Sequence, residues 1–174
     1  MSAREKFLRK IYERKLLYRS LGVFSHFVSL LCVLAYGTLL LMNLKDGRYL
    51  EILRLLIAAG IPFFAVGAAR SIIKAPRPYE VFDFYKSSPR KKAFSDIRAS
   101  EGSDSFPSRH AYSAFVIATL VFFACPPAGG VLWGLAALMC AARVLLGIHF
   151  IKDVLCGAAI GVCAGVLGEL LFRF

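Results

Sequence analysis

Five stretches of the chain are apolar over about 20 residues, which is long enough for a helix to cross a bilayer core of about 30 Å. They cover about residues 21–42, 50–73, 106–125, 131–148 and 150–172. Backbone groups within hydrocarbon must pair inside their own segment, which favours a helix for each stretch. The pattern therefore predicts an all-α integral membrane bundle of five transmembrane helices, with residues 1–174 forming a single domain.

The first 20 residues follow a different pattern, in which apolar side chains recur at near-helical spacing among charged ones. The segment holds seven Lys/Arg and two Glu, and its apolar set is Phe7, Leu8, Ile11, Tyr12, Leu16 and Leu17. We predict an N-terminal amphipathic surface helix on an anionic membrane face. A frayed cytosolic tail is the alternative.

A long polar loop, residues 74–105, separates the second and third predicted spans, whereas the links at 43–49 and 126–130 are short. Two interpretations stay open for this loop: a solvated segment, or a lid on lipid headgroups with aromatic side chains at the interface. Its aromatic residues are Tyr79, Phe82, Phe84, Tyr85 and Phe94, and they alternate with Lys86, Arg90, Lys91, Lys92 and Arg98.

The composition supports a membrane protein, and this affects the interpretation of the high net charge. Hydrophobic residues make up 58% of the chain, yet the formal net charge is +11. The cations lie between the apolar stretches, which indicates anionic lipid headgroups as partners and not nucleic acid. The N-terminal segment and the long loop fall on the same side, because two spans separate them. The positive-inside rule then places both in the cytosol of a multi-pass cell-membrane protein.

Charged and polar residues concentrate where the predicted spans begin or end. Because consecutive spans alternate in direction, these ends all lie on one membrane face. Ionisable groups at the ends of membrane spans are candidates for function. The converging residues are Arg70, Arg77, Ser108, Arg109, His110, Arg143, His149 and Asp153.

Two other polar residues lie away from this face. His26 is predicted to hydrogen-bond within the bundle, and Glu169, at the far end, is predicted to be interfacial.

These residue types suit chemistry on a phosphate group. Guanidiniums bind phosphate oxygens as forks, and the first turn of a helix presents N–H groups to an anion. His149 and Asp153 are four apart and share a helix face, so the carboxylate can fix the ring tautomer while the other nitrogen attacks. His110 comes from a separate stretch and can protonate the departing oxygen. The five cysteines form no C-x-x-C pair, and we expect no metal and no cofactor.

Three motifs in this region resemble the signatures of the type 2 phosphatidic acid phosphatase superfamily, which includes the lipid phosphate phosphatases and the vanadium haloperoxidases. The resemblance implies that His149 is phosphorylated, that Asp153 orients it and that His110 is the acid. It implies that Arg77, Arg143, Ser108 and the amide of Arg109 bind phosphate. The motifs are Arg70-x6-Arg77-Pro78, Pro107-Ser108-Arg109-His110 and Arg143-x5-His149-x3-Asp153.

Three positions depart from the family pattern: Arg70 where the family usually has Lys, Arg109 where it usually has Gly, and Ala142 where it usually has Ser. None removes the nucleophile, the acid or the orienting carboxylate. The expected activity is metal-independent hydrolysis of a phosphoric monoester or diphosphate anhydride of a lipid. Polyprenyl phosphate or diphosphate, phosphatidic acid and phosphatidylglycerol phosphate are the candidate substrates.

Other interpretations remain open for the same residues. A non-catalytic lipid-phosphate binding or transport protein on the same bundle would use the same cations, and a purely structural membrane protein would use none of them. Taken singly, Arg143 fits a snorkelling arginine at a helix end and Ser108 fits a helix N-cap. The sequence makes no prediction of the oligomeric state.

Overall fold

The computed structural model describes residues 3–86 and 104–171. Within them all regular elements are α-helices, which confirms the predicted fold class. In chain order they are α1 (Ala3–Glu13), α2 (Lys15–Lys45), α3 (Tyr49–Ile73), α4 (Pro78–Val81), α5 (Asp83–Lys86), α6 (Arg109–Ala124), α7 (Pro126–Leu145) and α8 (Ile151–Leu171).

Four of these helices, α2, α3, α7 and α8, are long and apolar enough to cross a bilayer. The third predicted span corresponds to α6, which has 16 residues. At 1.5 Å per residue it is about 24 Å long, shorter than the hydrocarbon core. More than half of its residues are buried. The predicted membrane bundle is confirmed, with α6 as a short, enclosed central helix.

Glycines on α8 let it pack closely against α6, as the spacing Gly157, Gly161 and Gly165 suggests. A Cβ on Gly157 would overlap the carbonyl oxygen of Ser108, and one on Gly161 would overlap the backbone of Tyr112. This packing holds the start of α6 against the first turns of α8, which contain Asp153 and directly follow His149.

The boundary between the N-terminal helix and the first membrane helix lies earlier in the chain than predicted. A break at Arg14 separates α1 from α2, so residues 15–20 extend the first membrane helix and do not belong to the surface helix. The amphipathic pattern of α1 is real, but Leu8, Ile11 and Tyr12 are buried against the rest of the protein. The basic positions Lys6 and Lys10 stay exposed.

Two segments predicted as links between membrane spans contain helical residues. Residues 126–130, predicted as a turn, form the first turn of α7, because a proline at the start of a helix has its φ angle already set. Residues 74–86 of the long loop include α4 and α5. The loop positions Phe94, Arg90, Lys91, Lys92 and Arg98 lie outside the described residues, as does Phe172.

The opposite end of the bundle is tied by an ion-pair network that the sequence did not reveal. Arg54 Nε donates to Glu51 at 2.6 Å, and Arg54 also pairs with Glu169 across α3 and α8. Glu169 therefore joins α8 to α3 at this end of the bundle, and its predicted place at the membrane interface stays a prediction. His26, predicted to hydrogen-bond inside the bundle, is exposed on α2.

Candidate active site

The ends of α3, α6, α7 and α8 meet at one end of the bundle and enclose a set of buried polar side chains. Each is at most 6% exposed. Burying ionisable groups is costly unless they are hydrogen-bonded, so their partners define how the site is built. The set comprises Arg70, Arg77, Ser105, Ser108, Arg143, His149 and Asp153.

The centre of this set is a contact between three side chains. Ser105 Oγ donates to Asp153 Oδ2 and lies 3.4 Å from His149 Nδ1. His149 Nδ1 is itself 3.8 Å from Asp153 Oδ2. His149 is 1% exposed, so its ring is held inside the protein by a serine and a carboxylate on its Nδ1 side.

Asp153 is placed by the start of α8. Its Oδ2 atom accepts from the backbone N–H of Phe150 at 2.8 Å, three residues earlier. This is the reciprocal half of a capping box, which satisfies an N–H that the helix itself leaves open. The Asp153 carbonyl oxygen accepts from Ser108 N at 3.0 Å, which ties the start of α6 to the same turn.

Arg70 lies in the last turn of α3, and Arg77 lies on the segment that follows this helix. The helix ends where Lys74 adopts a left-handed conformation with φ 47°, and the residues up to Arg77, which is extended, contain no helix. Arg70 donates to the carbonyl oxygens of Asp104 and Pro107, the latter at 3.3 Å. Arg77 donates to Asp104 O at 3.3 Å and Ile148 O at 3.4 Å. The Arg77 guanidinium is therefore fixed beside residues 146–150, which we call the His149 loop, and the Arg70 guanidinium beside the chain that leads into α6.

Arg143 stands in the last turn of α7 and is 1% exposed, which rules out a snorkelling side chain at this position. Its guanidinium donates to Ser25 Oγ on α2 at 3.4 Å. Its carbonyl oxygen accepts from Ile148 N at 3.1 Å and His149 N at 3.4 Å. The backbone carbonyl of Arg143 thus stabilises the turn that carries His149.

Ser108, Arg109 and His110 form the entry to α6. Ser108 caps the helix, because its Oγ accepts from Ala111 N at 3.3 Å. Arg109 and His110 are half-buried and line a cavity of about 280 Å³ that they share with Phe63 of α3. The N-cap interpretation of Ser108 is confirmed, and a role for it in phosphate binding stays a prediction.

Comparison with known proteins places the chain in a family. The family model described as PAP2 superfamily matches residues 51–172, which is more than half of the chain. The chain belongs to the PAP2 superfamily. No curated protein sequence matches it significantly.

Two solved structures share the fold of this PAP2 protein, each with a TM-score of 0.65. One is LpxE of Aquifex aeolicus, at 22% identity over 94% of this chain and 92% of the other. The second is a transmembrane PAP2-type phosphatidylglycerolphosphate phosphatase of Bacillus subtilis, at 23% identity over 96% and 83%. At these identities the two neighbours support the fold, and the family match supports a membrane phosphatase.

Two contributors to this PAP2 site escaped the sequence analysis. Ser105 has a weak signal, since it lies three residues before Ser108 in a short polar stretch. Ser25 has none, because its pairing with Arg143 joins residues 118 apart along the chain. Among the described residues, no group of three or more His, Cys, Asp or Glu side chains is placed to hold a metal ion.

Proposed function

We propose that this PAP2 protein removes the terminal phosphate of a membrane lipid through a phosphohistidine at His149. The observation that carries the proposal is the buried contact of His149 with Ser105 and Asp153. Because the Ser105 hydroxyl hydrogen goes to Asp153, its oxygen accepts from an Nδ1–H of His149. That tautomer leaves the lone pair on Nε2, which is the nucleophile.

The reaction then has two steps in which bonds and protons balance. His149 Nε2 attacks phosphorus and the P–O bond to the lipid breaks, its electron pair leaving with the lipid oxygen. His110 donates the proton that this oxygen needs. In the second step His110 takes a proton from water, the water oxygen attacks phosphorus, and the P–N bond breaks. The products are the dephosphorylated lipid and inorganic phosphate.

The remaining predicted residues would bind the phosphate oxygens. Arg70, Arg77 and Arg143 converge on this end of the bundle, and guanidiniums neutralise the charge that spreads over the oxygens in the transition state. The start of α6 adds the Ser108 hydroxyl and the Arg109 amide at the positive end of a helix dipole. In this mechanism the arginines supply the charge stabilisation, so we propose an activity that needs no metal.

Cavities beside the site support a substrate with a hydrocarbon tail. The cavity of about 280 Å³ at Arg109 and His110 shares Phe63, Ser113 and Ile117 with a second one of about 250 Å³. Together they run between α2, α3 and α6 towards the middle of the bundle. A lipid could place its phosphate at the arginines and its tail along this apolar path.

We propose the cell membrane as the location, with the site on the cytoplasmic face. α1, which carries exposed cations, packs beside α5 at the site end of the bundle, with the rings of Tyr12 and Tyr85 5.1 Å apart. Cations next to membrane helices favour the cytosolic side. Labelling of a cysteine introduced at Lys6 in intact cells, with the exposed Cys125 and Cys163 replaced by Ser, tests this: reaction with an impermeant reagent before lysis would contradict it.

Phosphate release from purified lipids in detergent tests the proposed activity. The panel is polyprenyl phosphate, polyprenyl diphosphate, phosphatidic acid and phosphatidylglycerol phosphate. The expected result is turnover of at least one lipid by the natural protein and none by His149→Ala. His26→Ala is the matched control, because His26 is exposed on α2. Retained turnover in His149→Ala, or no turnover of any lipid by the natural protein, would contradict the proposal. The second result, with lipid binding kept, would favour the binding or transport alternative.

A further inference from the structure

Aromatic side chains from three separate helices form a cluster next to the His149 loop. Tyr12 of α1, Tyr79 of α4 and Tyr85 of α5 are all buried, and we call these three the tyrosine cluster. The Tyr12 ring meets that of Tyr85 at 5.1 Å between centroids, in an edge-on arrangement. It meets that of Tyr18, at the start of α2, at 5.4 Å in the same way. The cluster thus joins α1 and α2 to the short helices after α3.

The cluster and its neighbours contact the His149 loop on both sides of His149. A Cβ on Gly147 would overlap the Tyr85 ring, so that ring lies directly on the loop backbone. Phe82 packs against Phe150 with 6.2 Å between centroids. The Tyr18 hydroxyl donates to the carbonyl oxygen of Leu146 at 3.2 Å.

Gly147 has a conformation that makes this contact possible. Its φ of 74° lies in the left-handed region, which glycine enters without a steric cost. The absence of a side chain lets the Tyr85 ring approach the backbone closely. The sequence from Leu146 to Phe150 contains no helix of its own, so its conformation depends on what packs against it.

The cluster also reaches the phosphate-binding side of the site. The Arg77 guanidinium carbon lies 6.0 Å from the centre of the Tyr79 ring, which is the distance of a cation–π contact. Arg77 in turn donates to Ile148 O, next to His149. One set of rings therefore borders both a candidate phosphate ligand and the loop that carries the nucleophile.

We propose that Tyr12 and Tyr85 are positioning residues that hold the His149 loop in its reactive conformation, so that α1 is part of the catalytic unit. This inference rests on the proposed function. Tyrosine rings are rigid and lose little conformational freedom on packing, which suits them to this task. A displacement of a reacting group by about 1 Å can lower a rate about 100-fold, so loosening the loop has a measurable effect.

The first test measures kcat and KM separately for Tyr12→Ala and Tyr85→Ala. We expect kcat to fall about 10- to 100-fold while KM stays within about twofold, since the proposed tail path is untouched. Tyr12→Phe and Tyr85→Phe keep the ring and should restore kcat. Phe7→Ala is the matched control on α1, because Phe7 is 57% exposed. Natural kcat in both alanine variants, or equal losses in the phenylalanine variants, would overturn the inference.

The second test needs no turnover, so it separates this inference from the proposed function. Amide hydrogen exchange of the natural protein and Tyr85→Ala is compared by mass spectrometry in detergent. Faster exchange confined to residues 146–150 is the expected result. Unchanged exchange there, or a uniform rise across the bundle, would overturn the inference. Should Tyr85→Ala fail to fold, Tyr12→Leu takes its place and the same outcomes apply, because Leu keeps an apolar side chain there without the edge-on ring contact.

Discussion

Replacing Asp153 with Asn tests the orienting role of this carboxylate with almost no change in shape. Asp153 Oδ2 accepts from Ser105 Oγ and from Phe150 N, and it lies 3.8 Å from His149 Nδ1. The amide of Asn can keep its oxygen at the same place, so the two accepted hydrogen bonds are weakened and not abolished. What Asp153→Asn removes is the negative charge beside the imidazole.

The size of the effect follows from that distance. When His149 attacks phosphorus, positive charge develops on its ring, and a carboxylate at 3.8 Å stabilises it. At an effective dielectric constant of about 20, a pair of unit charges at this separation interacts by about 4 kcal/mol. Each 1.36 kcal/mol is a factor of ten in rate, so we expect kcat to fall about 1000-fold.

The loss of kcat in Asp153→Asn can be compared with that in Ser105→Ala, for which a smaller loss is expected. Ser105→Ala removes the hydrogen bond to the carboxylate, worth roughly 1.5 kcal/mol, together with the longer 3.4 Å contact to His149 Nδ1, and should lower kcat at least about 10-fold. Both variants are assayed by phosphate release in detergent, with vanadate inhibition and thermal midpoints as checks on an intact site. A kcat for Asp153→Asn within about threefold of the natural protein, or a larger loss in Ser105→Ala than in Asp153→Asn, would refute the reasoning.

Three further outcomes follow from the same structure. Gly161→Val should lower the thermal midpoint, because it forces α8 away from α6 at a cost of about 1–3 kcal/mol. Gly130→Val is the control and should leave the midpoint unchanged, because nothing lies within 4 Å of its new Cβ. Equal midpoints for the two variants would contradict the close packing. Glu169→Gln should weaken the pairing with Arg54 and lower the midpoint while leaving kcat unchanged, because this network lies at the far end of the bundle. Phosphate release should persist after dialysis against a chelator, and a loss restored by a divalent cation would contradict a metal-independent reaction.

Much of the fold was predictable because the bilayer imposes simple rules. A span needs a minimum apolar length, and consecutive spans alternate in direction, so the ends that carry Arg70, Ser108, Arg143 and His149 had to face the same side. The spacing of His149 and Asp153 likewise follows from the periodicity of a helix. The prediction that the N-terminal segment and the long loop share a side is confirmed by the contact between Tyr12 and Tyr85.

The remaining features depend on contacts between distant residues, which a periodic pattern does not encode. Ser105 meets His149 because the chain crosses back over the end of α3 and Ser105 N donates to Ala75 O at 2.8 Å. The pairing of Arg54 with Glu169 joins residues 115 apart. The apolar stripe of α1 was interpreted as a membrane contact, since burial of Leu8 and Tyr12 against protein or against lipid produces the same pattern.

The central claim is that a nitrogen of His149 becomes bonded to the phosphate of the substrate. Its most direct measurement is a rapid-quench experiment with a lipid labelled in the terminal phosphate, followed by alkaline digestion and mass spectrometry. The account predicts transient, acid-labile label on the peptide that contains His149, and greater accumulation in a variant that slows the second step, such as His110→Ala with an activated leaving group. Turnover without labelled protein, or label on another residue, would contradict it.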